Sequence, residues 1–86
     1  MNKEKANEII RRCYNISCFP PEDEMDNTIT KSWADFFTLF HNPDFENLLR
    51  KEKDFLASTY SNIPDEGVSK KIYFFKNFVI IETFRI

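Results

Sequence analysis

Residues 70–86, KKIYFFKNFVIIETFRI, hold the densest apolar material in the chain and read as two short strands joined by Lys76-Asn77. Residues 72–75 and 78–81 are runs of β-branched and aromatic side chains, the types that fill a pleated surface. A loop of those two residues, with Asn77 able to take the left-handed conformation of a tight turn, sets Phe75 opposite Phe78, Tyr73 opposite Ile80 and Lys71 opposite Glu82. Side chains alternate across a strand, so Ile72, Phe74, Val79 and Ile81 share one face and Tyr73, Phe75, Phe78, Ile80 and Phe84 the other. Both faces are apolar. An antiparallel hairpin on a monomer's surface turns a polar face to water, so each side of this one needs a cover. Either helices cover one face and the chain's own N-terminal part the other, or a partner or a second copy covers the second face.

Working outward, residues 42–58 begin with Asn42-Pro43-Asp44, a cap, a proline at the first helical position and an acid beside the positive helix end. The helix expected there turns Phe45, Leu48, Leu49, Phe55 and Leu56 inward and sets Arg50, Lys51, Lys53 and Asp54 outward or beside them. A second helix is expected over residues 32–41, where Ser32 and Asp35 resemble a capping box and Trp33, Phe36, Phe37 and Phe40 fall at helical spacing. That aromatic stripe reads as core against the hairpin. Residues 3–16 form a third helix, capped by Asn2, with Ala6, Ile9, Ile10 and Cys13 on one side; Phe19-Pro20-Pro21 stops it at the latest. Residues 62–67, NIPDEG, are a turn-rich link into the hairpin. The expected fold is α+β in a single domain over residues 1–86: about three helices packed on a C-terminal antiparallel hairpin, with residues 13–19 the candidate third strand, since an isolated hairpin is marginal in water.

Net charge is −2, unevenly placed. Residues 1–14 hold four basic and two acidic side chains, residues 15–49 hold Lys31 against seven acidic ones, and residues 50–86 hold seven basic and five acidic. The middle third is therefore strongly acidic, and residues 22–27, EDEMDN, are its centre, read as a loop. Ten Phe, three Tyr and one Trp give a small chain large burial per residue. No long apolar run opens the sequence, which leaves the cytoplasm as the default and Cys13 and Cys18 as reduced thiols.

Chemistry is sparse. Cys13, Cys18 and His41 lack the paired spacing of a structural zinc site, no Gly-rich phosphate loop is present, and no cofactor is implied. A Cys–His nucleophile would need Cys13 or Cys18 against His41 and an orienting Asp35 or Asp44, with nothing local to support it. Basic residues are too dispersed for direct nucleic-acid binding, and no segment suits a membrane. The expectation is a non-enzymatic protein that binds another protein. Glu22, Asp23, Glu24, Asp26, Asp35, Asp44 and Glu46 would steer a basic partner such as a nuclease toxin, and Trp33 and Tyr60 would anchor it. In size and charge the chain resembles toxin-immunity and antitoxin proteins, and phage or mobile-element inhibitors of host defence; its lean towards Lys, Asn, Ile and Phe suits AT-rich mobile DNA. The alternative is a homo-oligomeric assembly module that pairs through the C-terminal hairpin.

Overall fold

The computed structural model describes residues 1–15 and 32–86. The chain is α+β, with two helices on a four-stranded mixed sheet among the described residues. In chain order the elements are α1 (Lys3–Tyr14), β1 (Ser32–Thr38), α2 (Pro43–Arg50), β2 (Phe55–Ile63), a short 3-10 turn (Pro64–Glu66), β3 (Val68–Phe75) and β4 (Phe78–Arg85). The sheet order is β1-β4-β3-β2, with β1 parallel to β4 and the other pairs antiparallel.

The C-terminal hairpin is the centre of this sheet. Tyr73 lies opposite Ile80 and Lys71 opposite Glu82, as the sequence predicts. Lys76-Asn77 join β3 to β4, as expected, and the Lys76 N–H donates to the Asp54 carbonyl at 3.1 Å. Asn77 does not take the left-handed conformation expected of it; among the described residues only Asn15 (φ 55°) and Gly67 (φ 69°) do. Gly67 turns the chain from the 3-10 turn into β3, where a Cβ would meet a strained backbone. Pairing at the hairpin's own edges is closed, because β2 occupies one side and β1 the other.

One expected helix is replaced by a strand and another is shortened. Residues 32–38 are strand β1, not the start of a helix over 32–41. Its alternation buries Ala34, Phe36 and Thr38 and turns Trp33, Asp35 and Phe37 to the other face. Phe37 and Phe40 are 53% and 64% exposed, so the aromatic stripe does not form one buried face. The helix expected over 42–58 stops at Arg50, and residues 55–63 pair with β3 as β2. Ser58, Thr59, Tyr60, Ser61 and Asn62 are poor helix formers there. Leu56, expected inward, is 65% exposed. The two additional strands come from these segments; residues 16–19 of the candidate third strand lie outside the described residues, and Cys13 and Tyr14 belong to α1.

Both helices lie on one face of the sheet. Asn2 caps α1 by accepting the Lys5 N–H at 2.8 Å, and Asn42 caps α2 by accepting the Asp44 N–H at 2.9 Å. Among the described residues the core joins Ala6, Ile9 and Ile10 of α1, Phe45 and Leu49 of α2, and Ala34, Phe36, Tyr73, Phe75, Phe78 and Ile80 of the sheet. Edge-to-face rings link the layers, with Phe45 centred 5.5 Å from Phe36 and 5.8 Å from Tyr73.

Candidate protein-binding face

Polar chemistry concentrates on the helix side. Glu82, in the middle of β4, is fully buried. The Tyr73 hydroxyl donates to it at 3.0 Å, the Tyr14 hydroxyl donates to it as well, and His41 Nδ1 lies 2.9 Å from Oε1. Tyr14 in turn accepts the Asn42 N–H at 2.8 Å. Burial, reinforced by the Glu82 carboxylate, pushes both phenols above their usual range, so they act as neutral donors. The cross-strand pair Lys71–Glu82 is correct as register, but the Lys71 ammonium bonds Glu46 instead. Glu46 also takes Arg50 at 3.1 Å and faces His41 Nε2 at 3.5 Å. The Lys71 and Arg50 bonds hold its carboxyl below the usual range against the opposing effect of burial.

These groups bind one another and leave little for a substrate. Both ring nitrogens of His41 face carboxylates, whereas a nucleophilic cysteine needs its base in hydrogen-bond reach. Cys13 is half-buried, and desolvation, with Asp44 next in effect, pushes its thiol up, away from the thiolate. Cys18 lies outside the described residues. Among the described residues no group of three or more His, Cys, Asp or Glu is placed to hold a metal ion. No helix there is long and apolar enough to cross a membrane.

The opposite face of the sheet is different in kind. Pairing register aligns Trp33, Val79, Phe74 and Ala57 in one row across β1, β4, β3 and β2. Asp35, Ile81, Ile72 and Thr59 form the next row, and Phe37, Thr83, Lys70 and Ser61 the third. Six of these twelve side chains are large and apolar, and no described helix lies over them. Phe37 is 53% exposed, while Trp33, Ile72, Phe74, Val79 and Ile81 are partly exposed. Asp35 is the carboxylate among them. Burial pushes its pKa up, opposed by the Lys70 ammonium and by the Thr83 hydroxyl, which donates to it at 3.5 Å.

Of the site residues expected from sequence, Trp33 and Asp35 come together here, two positions apart on one strand face. Asp44 lies on the helix side instead, lining a polar cleft of about 360 Å³ with Arg12, Cys13, Asn42, Asn47, Leu48 and Lys51. Glu46 is also on that side and is tied to cations. Tyr60 is 54% exposed on the helix side of edge strand β2, its hydroxyl donating to Ser69 Oγ at 3.2 Å. The acidic surface is thus not assembled from the described carboxylates: Asp35 sits on one side of the sheet, Asp44 and Glu46 on the other. Glu22, Asp23, Glu24 and Asp26 lie outside the described residues. Sequence reasoning missed Glu82, whose signal was a lone carboxylate between apolar residues of a strand, and Phe37, hidden in the helical reading of its segment. Compared with protein-family models, with curated proteins and with solved structures, the chain gives no match.

Proposed function

We propose that this chain is a non-enzymatic, protein-binding inhibitor whose contact surface is the sheet face opposite the helices. The observation that carries the reading is the run of Trp33, Phe37, Ile72, Val79 and Ile81 over three adjacent strands, with both described helices on the other side. A contiguous apolar patch that is partly exposed, and open at Phe37, suits an interaction site, with Trp33 and Phe37 as its aromatic anchors. The saturated Glu82–His41–Tyr14–Tyr73 cluster then serves the fold, holding the helices on the sheet, and no catalytic role is assigned to it.

The acidic stretch of residues 22–26 and Asp35 give the partner its chemistry: a basic protein, with a nuclease toxin as the immunity- or antitoxin-type case and a host-defence protein as the phage-inhibitor case. Charge steers association, and the apolar face sets the lifetime of the complex. The test is affinity capture from the native host with the wild-type chain and with Phe37→Asp and Trp33→Asp variants, each first shown to be folded. A basic protein held by wild type and lost by both variants supports the reading, and the capture should weaken in high salt. Retention of that partner by both variants overturns it. A charge reversal at Asp23, Glu24 and Asp26 should slow association and leave thermal stability unchanged.

A further inference from the structure

Edge strand β2 lacks the charge and the proline that commonly protect a sheet edge. Over its nine residues, FLASTYSNI, it has no charged side chain and no proline, and its central residues Thr59, Tyr60, Ser61 and Asn62 are exposed. Natural edges are blunted with lysine, proline or bulges because one row of backbone donors and acceptors is unpaired. The irregularity at Leu56 lies at one end of the strand and leaves residues 57–63 in continuous register with β3.

We propose that this edge pairs with a second copy of the chain, β2 against β2 in antiparallel sense about a two-fold axis near Thr59. The product is a continuous eight-stranded sheet made of two four-stranded ones. The charges at the two ends of β2 select this partner and this direction. Lys51 and Lys53 precede the strand, Asp65 and Glu66 follow it, and all four are exposed. None of the four is in an ion pair among the described residues. Antiparallel pairing sets the basic end of each strand beside the acidic end of its mate, twice by symmetry. Parallel pairing would set like beside like. With no charge inside the strand, self-pairing places no like charges directly opposite. At the basic end Glu52 is partly buried and Asp54 is held by the Met1 amino group, which leaves the two lysines dominant there. The two apolar docking faces then lie side by side on one surface, and the dimer uses neither of them.

Sedimentation velocity from micromolar to millimolar protein at low salt tests the proposal with wild type, Lys53→Glu and Asp65→Lys. Both substitutions are at exposed positions, and unchanged melting curves confirm the fold. Wild type should dimerise with concentration. Each variant alone, now facing like charge at both contacts, should dimerise at least about tenfold more weakly. An equimolar mixture of the two variants restores opposite charges at both contacts and should recover the dimer. Wild type that stays monomeric throughout overturns the proposal, as do variants that dimerise like wild type or a mixture that does not recover.

Discussion

Glu82 gathers donors from three separate segments: Tyr14 at the end of α1, His41 in the loop before α2, and Tyr73 on β3. Its removal leaves buried donors without an acceptor. Glu82→Ala should therefore destabilise by about 3–5 kcal/mol. Glu82→Gln, which keeps the shape but sets a carboxamide N–H₂ against hydroxyl donors, should cost about 1–3 kcal/mol. Urea unfolding of the two variants checks the order, and a wild-type value for Glu82→Ala would remove the cluster from the fold. Phe36 and Phe40, four residues apart, separate as sharply. Phe36→Ala should cost about 3–5 kcal/mol, while Phe40, 64% exposed, should tolerate the same change within about 1 kcal/mol.

Two carboxylates at this scale carry opposite pH signatures. The Glu46 carboxyl is held low by Lys71 and then Arg50, so its contribution is complete above the ordinary carboxylate range. It is lost as pH falls below about 4. The Asp35 carboxyl is raised by burial, so the folded state takes up its proton first, and stability attributable to it rises as pH falls through that raised value. Asp35→Asn should melt higher than wild type at pH 7, with the difference shrinking towards about pH 4. Glu46→Gln should melt lower at pH 7 and lose part of the acid limb. Thermal melts across pH decide both, and a pH-independent Asp35→Asn difference would contradict the burial of its charge.

At the scale of elements, the legible parts were those where one signal stood without a rival. The Asn42-Pro43 start of α2, the Asn2 cap of α1 and the Tyr73–Ile80 and Lys71–Glu82 registers all follow from local chemistry. Residues 32–38 carry two periodicities at once. Trp33, Phe36, Phe37 and Phe40 suit a helix, but Ala34, Phe36 and Thr38 alternate with Trp33, Asp35 and Phe37 as a strand. The parallel ladder to β4 decides between them, and that long-range contact is not written in the segment itself. Residues 55–58 read as the tail of a well-capped helix and residues 62–63 as part of a turn, although both belong to β2; the shift towards Ser, Thr, Tyr and Asn after Phe55 is the available clue. Because β1 is a strand, Trp33 faces away from the helices. A helix would have carried it into the core with Phe36.

For the whole molecule, the position of the helices decides the function argued here. The two hairpin faces, equally apolar in the sequence, diverge because α1 and α2 both settle on the Tyr73 side, and no described helix lies on the other. Charge asymmetry along the chain was legible, but its placement was not, since Asp35 and Asp44 are separated by the sheet. The basic character proposed for a partner therefore rests on Asp35 and the sequence of residues 22–26, and the grip proposed for it on the apolar rows. Trp33 is the chain's single tryptophan and lies in those rows, which makes it a reporter for the surface. The most direct measurement is the ¹⁹F NMR signal of 5-fluorotryptophan at position 33, followed while the captured partner is titrated in. The account predicts that the Trp33 resonance shifts and loses its response to solvent as the complex saturates. A saturated complex in which that resonance stays at its free position and keeps its solvent response would contradict it.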